Sequence, residues 1–128
     1  MRWVMRSKIH KATVIQADVN YVGSITIDEA LMERVGLWAG ERVLVVSNTS
    51  GARLETYVIP GPRDSGVINM NGAAAHLVKA GEEIIIIAFE LSGVPVTPKQ
   101  ILVDKQNRYV RDLEWVESFS MLESDLTF

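Results

Sequence analysis

Apolar and polar residues alternate over short stretches of this chain and seldom recur at helical spacing. "KIHKATVIQADV" alternates loosely and is rich in β-branched residues, which predicts a strand over residues 8–17. "SITI" predicts a second, short strand. Asp28 can cap a helix whose apolar face carries Leu31, Met32 and Val35, with Gly36 as its stop. "ERVLVVSN" and "ARLETYVIP" read as two strands joined at Thr49-Ser50-Gly51, the second ended by Pro60, Gly61 and Pro62. "GVINMN" resumes the strand pattern, and "GAAAHLVKAG" predicts a short helix between Asn71 and Gly81. The continuous apolar run of "EEIIIIAFEL" predicts a strand buried on both faces.

The character changes after Gly93. "QILVDKQNRYV" predicts a hairpin turning at Gln106-Asn107. Trp115, Phe119, Leu122 and Leu126 then fall at amphipathic-helix spacing, suited to packing on the chain's own core or to a contact with another subunit. The pattern is that of a mainly β fold, a barrel with a few short helices. Residues 1–92 are read as the barrel and residues 93–128 as a C-terminal hairpin and helix extension.

Bulk properties narrow the function. At 128 residues the chain suits one domain, and its net charge is −3. No Lys/Arg cluster follows "MRWVMRSKIHK", which disfavours nucleic acid as a partner. The absence of cysteine removes disulfides, thiol nucleophiles and cysteine zinc sites together, and fits a reducing cytosol. The two histidines, His10 and His76, cannot alone supply the ligands of an ordinary catalytic zinc site, so no metal is expected. The longest apolar run, "IIIIAF", is far too short to span a bilayer, and the N-terminus lacks a signal-like apolar stretch. The expectation is a cytoplasmic protein with no membrane partner.

Some residues could carry chemistry. On a strand, Arg53, Glu55 and Tyr57 point to one face and Leu54, Thr56 and Val58 to the other. A guanidinium and a phenol on one face suit an anionic substrate, and equally a solvated face with an Arg–Glu pair. Asn71 is placed to cap the helix after it. Gly72, Ala73 and Ala74 would then offer free backbone N–H groups to an anion, or simply pack that helix closely on the sheet. Lys8 and His10 share a strand face, while His76 reads as structural.

The order of these pieces is more specific than any one of them. Lys8-x-His10, Tyr21-x-Gly23-Ser24-Ile25, Arg53-x-x-Thr56-Tyr57 and Asn71-Gly72-Ala73-Ala74-Ala75 together resemble the bacterial aspartate 1-decarboxylases, from about Met5 to Leu91. The chain departs from that pattern at Val22, where many relatives carry an acidic residue.

The resemblance implies a double-psi β-barrel assembled as a homotetramer, with active sites between subunits. It implies that the Gly23–Ser24 bond cuts itself, with help from Thr56, so that Ser24 becomes a covalent pyruvoyl group. That group would stand in for pyridoxal phosphate and form a Schiff base with L-aspartate. It further implies Tyr57 as proton donor, and Lys8, Arg53, Thr56, Asn71, Gly72, Ala73 and Ala74 as substrate-binding residues, with His10 supporting. A maturation helper protein is a further expected partner. The competing reading is a non-enzymatic β-barrel, an interaction or DNA-binding module, which would never be cleaved.

Overall fold

The computed structural model describes residues 1–116. Its strands are β1 (Arg2–Thr13), β2 (Gln16–Asp18), β3 (Ser24–Asp28), β4 (Arg42–Ser47), β5 (Arg53–Gly61), β6 (Ile68–Asn71), β7 (Glu83–Ser92), β8 (Lys99–Val103) and β9 (Tyr109–Asp112). Helix α1 (Glu29–Val35) follows β3, and a 3₁₀ turn (Gly72–His76) follows β6. The strands form one sheet in the order β2-β6-β3-β5-β4-β7-β1-β8-β9, so the expected mainly β fold with short helices is the one observed.

Alternation builds the core. Ile9, Ile25, Ile27, Val43, Val45, Val58, Ile68, Met70, Ile84 and Ile86 all turn to one side and are almost wholly buried. Helix α1 closes one end of that core with Leu31, Met32 and Val35. Asp28 caps it by accepting from the backbone N–H of Ala30 at 2.9 Å, and Gly36 ends it at φ 73°, as the sequence predicts. The same carboxylate accepts from the backbone of Asp64 and Gly66 at 3.0 and 2.9 Å, tying the loop before β6 to the helix start.

Other elements differ from expectation. The first strand begins at Arg2 and ends at Thr13, with a register shift between Ile9 and Ala12 where Lys11 adopts φ 64°. After that break the chain re-enters the sheet as β2, beside β6, instead of continuing to residue 17 as one strand. β5 runs through Pro60 to Gly61. Its pairing with β4 covers Arg53 to Tyr57 and that with β3 Val58 to Gly61, so Pro60 sits where only β3 is a partner and its missing N–H is tolerated.

β7 is not buried on both faces within this chain. Ile84, Ile86 and Ala88 are in the core, whereas Ile85 and Ile87 on the outer face are only half-buried. The helix expected between Asn71 and Gly81 is no more than the 3₁₀ turn, because Gly72 takes φ 69° and cannot start an α-helix.

The change of character after Gly93 marks no break in the sheet. β8 pairs in parallel with β1 and contributes Ile101 and Val103 to the common core. The expected hairpin forms as β8–β9, with Asn107 at φ 60° in its turn. Of the amphipathic helix read from Trp115, Phe119, Leu122 and Leu126, all but Trp115 falls outside the described residues.

Glu82 fastens the start of β7 to the end of β4. Its carboxylate accepts from the Ser47 hydroxyl at 2.6 Å and from the Lys79 backbone N–H at 2.5 Å. The Ser47 hydrogen bond holds its pKa below the ordinary value, against the opposing effect of desolvation. A carboxylate whose folded pKa is depressed stabilises the fold above its unfolded pKa, and that contribution fades as pH falls through the folded value. Glu82→Gln should therefore cost about 1–2 kcal/mol near pH 7. The gap to the parent should close below about pH 4. Denaturant unfolding at both pH values measures this, and an unchanged gap at low pH would mean that charge plays no part.

Candidate active site

Ser24 opens β3 with its side chain completely buried. Across the sheet it pairs with Asn71, the last residue of β6. The Asn71 Nδ2 group donates to both Ser24 Oγ and Thr26 Oγ1, each at 2.9 Å. The Ser24 hydroxyl in turn donates to the Val22 carbonyl at 3.3 Å. One lone pair of Oγ is thus occupied by the amide and its proton leans toward the backbone upstream. The remaining lone pair is free for bond formation.

Asn71 is therefore not the helix cap the sequence suggests; its side chain makes no capping bond and is spent on the two hydroxyls. The residue after it presses on the linkage before Ser24. A Cβ on Gly72 would stand 2.6 Å from Gly23 Cα and 2.7 Å from Gly23 N, closer than real contacts allow. With φ at 69°, position 72 accepts only glycine without strain. Ala73 is exposed and Ala74 half-buried in the turn beyond. The row of helix-terminal N–H groups expected from residues 72–74 is reduced to one short 3₁₀ turn.

β5 lies on the other side of β3, with Ile25 paired to Val58 and Thr26 to Ile59. Extended backward, that parallel register sets Ser24 beside Tyr57 and Gly23 beside Thr56. β5 alternates without a bulge, so Thr56 and Tyr57 point to opposite faces. The link before Ser24 lies at the level of the sheet, between those faces. Tyr57 shares the Ser24 face and is 39% exposed, accessible to a small molecule.

Three expected site residues are not drawn in. Arg53 is exposed and opposite Val46, four residues along β5 from Tyr57, roughly 13 Å at strand spacing. It is also not the partner of Glu55, which pairs with Arg42. Lys8 and His10 stand on β1. The register runs Lys8, Ile87, Leu44, Glu55 across four strands, so Lys8 is roughly 14 Å from β5. The His10 Nδ1 atom is buried without a partner among the described residues. Its pKa is lowered from the ordinary value, by burial first and then by Lys8 and Lys11, with Glu83 opposing. His76 is exposed. Among the described residues no group of three His, Asp or Glu side chains is placed to hold a metal ion.

The structure thus gathers Gly23, Ser24, Asn71 and Gly72, with Thr56 and Tyr57 alongside. It adds two residues that the sequence reading missed. Thr26 is second acceptor to Asn71, and Asn69 is its cross-strand neighbour. The period of two along a strand was the available signal, since it aligns Thr26 with Ser24 and Asn69 with Asn71.

The family model for aspartate decarboxylase matches residues 1–110. The aspartate 1-decarboxylase of Bacillus pumilus (strain SAFR-032) is 54% identical over 111 residues, covering 84% of this chain and 87% of its own. That of Clostridium botulinum (strain Alaska E43 / Type E3) is 54% identical over 108 residues, covering 81% and 87%. That of Bacillus subtilis (strain 168) is 50% identical over 111 residues, covering 84% and 87%. The crystal structure of the computationally designed msDPBB_sym2 protein matches at a TM-score of 0.40 and 19% identity, over 66% of this chain and 96% of that one. With its first 110 residues matched to one family and similar relatives covered over most of their length, this chain belongs to the aspartate decarboxylase family.

Proposed function

We propose that this protein cleaves itself between Gly23 and Ser24 and then decarboxylates L-aspartate to β-alanine and carbon dioxide, supplying pantothenate and hence coenzyme A synthesis in the cytoplasm. The observation that carries the reading is the buried Ser24 hydroxyl, held by Asn71 beside a Gly23 that Gly72 crowds.

Those groups support self-cleavage by the following steps. Ser24 Oγ attacks the Gly23 carbonyl carbon, its proton passes to the Ser24 nitrogen, and the carbon–nitrogen bond breaks, so that an ester and a free amine replace the amide and the hydroxyl. Thr56, beside Gly23 in the extended register, is the residue assigned to assist this shift. Loss of the Ser24 Cα proton and of the ester oxygen from Cβ frees a chain ending in the Gly23 carboxylate. The dehydroalanine left at position 24 takes up water and releases ammonia, giving a pyruvoyl group. The site fits such a group, because position 24 is buried, small and faced by an amide donor, and Gly72 leaves no room for a side chain.

A pyruvoyl group supplies an electron sink for the pair left behind when carbon dioxide departs. The protein's own part is to hold and protonate. Tyr57 is assigned the proton returned to the α-carbon. Asn71, Gly72, Ala73, Ala74 and Thr56 are assigned to orient the substrate, Arg53 and Lys8 to bind its carboxylates, and His10 to support them as a neutral imidazole.

One chain spreads these residues over some 14 Å of sheet, more than aspartate spans. Their distribution supports a homotetramer in which Arg53 and Lys8 serve a site shared between subunits. The half-buried Leu44, Ile85 and Ile87 and the exposed Trp3 and Phe89 on that outer face favour a covering subunit, as does a hollow of about 460 Å³ lined by Trp3, Leu44 and Phe89. A maturation helper is assigned as a further partner, with the backbone around the exposed Tyr21 and Val22 as its accessible target.

Ser24→Ala should stay full length and inactive by intact mass and carbon dioxide release, and a cleaved, active variant would refute the mechanism. Tyr57→Phe should process fully yet lose about 100-fold or more in kcat, and near-parental turnover would remove Tyr57 from its role. Native mass spectrometry should find four copies of the processed protein; an active monomer would overturn the shared site.

A further inference from the structure

Two polar groups beside the scissile serine are each missing half of a hydrogen bond. Thr26 Oγ1 accepts from Asn71, and the structure gives its own proton no acceptor among the described residues. Asn69 Oδ1 is buried with no donor among them. The two residues are directly paired across β3 and β6. Such a pair stands with Cβ atoms about 4.5–5.5 Å apart, within reach of one hydroxyl and one amide. A buried acceptor left unpaired is costly, and a hydrogen bond from Thr26 would satisfy both groups at once.

We propose that Thr26 and Asn69 are positioning residues for self-cleavage: Thr26 donates to Asn69 Oδ1, which fixes the Asn71 amide with its nitrogen toward Ser24. The logic is directional. The Asn71 amide could face the two hydroxyls with either its oxygen or its nitrogen. With the oxygen inward, both hydroxyls would donate to it, and the Ser24 proton would be drawn away from Val22. Once the Thr26 proton is committed to Asn69, Thr26 Oγ1 is available only as an acceptor. The amide nitrogen must then turn inward, and Ser24 is left with its proton on Val22 and a free lone pair. The chain of bonds runs from Asn69 to the nucleophile without either outer residue touching it.

This inference rests on the self-cleavage reading, and the experiment separates the two. Unprocessed protein is purified and cleavage is followed by intact mass for the parent, Thr26→Val, Thr26→Ser, Asn69→Leu and Asn69→Asp. Thr26→Val and Asn69→Leu should each slow cleavage roughly tenfold, the worth of one hydrogen bond. Thr26→Ser, which keeps the hydroxyl, and Asn69→Asp, which keeps the acceptor, should cleave within about threefold of the parent. Slow variants left until fully cleaved should decarboxylate aspartate with kcat within about twofold of the parent, because the hydroxyl that the chain positions no longer exists by then, whereas a loosened Asn71 amide shows in KM alone.

Parental cleavage rates in Thr26→Val and Asn69→Leu would overturn the proposal while leaving self-cleavage intact. So would failure of Thr26→Ser to restore the rate, or turnover falling in step with processing. If Thr26→Val does not fold, by circular dichroism, the Asn69 pair decides. A parent that never yields a pyruvoyl-ended fragment would instead sink the functional reading itself.

Discussion

One amide holds the site together. The two N–H groups of Asn71 reach across from β6 to hydroxyls two residues apart on β3, and no other side chain bridges them among the described residues. That bridge needs the antiparallel register of Ser24 with Asn71, and the register needs Ile25, Ile27, Ile68 and Met70 on the core side. A slip of one residue would turn every one of these side chains to the wrong face. The chemistry of position 24 is therefore set by core packing on the far side of the same two strands.

The position of Ser24 at a strand start gives the bond before it two different environments. Downstream, the serine is sealed within the sheet. Upstream, Tyr21 is 64% and Val22 75% exposed. On the proposed reading this asymmetry suits the order of events. An ester at a dry position is shielded from simple hydrolysis, which would merely return a free serine, so elimination is favoured. The carboxylate then released on Gly23 belongs to a segment already in water, where its charge costs little. Gly72 contributes by contact alone, since its backbone fills the space beside Gly23 that any side chain would need.

Much of this was legible in the sequence, for reasons that differ by element. β3, β4, β5 and the β8–β9 hairpin are short, alternating and bounded by turn formers, and their period is self-evident. The Asp28 cap and the Gly36 stop are local chemistry that needs no tertiary partner. Asn71 misled because a side chain that can cap a helix can also bridge two hydroxyls, and only the pairing of distant strands decides between them. The "IIIIAF" run misled because a strip half-buried in one chain has the same composition as a buried strand. Thr26 and Asn69 were missed because neither residue type signals function alone, and their meaning comes from facing each other across the sheet.

The placement of the cations follows from the same alternation that built the core. Lys8 and Ile87 lie in one cross-sheet row with Leu44 and Glu55, and Arg53 pairs with Val46, which pairs with Ile85. The outer face therefore interleaves apolar positions that are only half-buried with Lys8 and Arg53, neither of which has an ion-pair partner among the described residues. A partner that covers the isoleucines must bring its own surface against Lys8 and Arg53, because no strand can present one set without the other. On the proposed reading, burial of that strip and completion of the carboxylate site are one event. On the same reading, self-cleavage draws on Ser24, Thr26, Thr56, Asn69, Asn71 and Gly72, all gathered within a single chain, whereas binding of a dicarboxylate amino acid waits on residues that a single chain keeps roughly 14 Å apart.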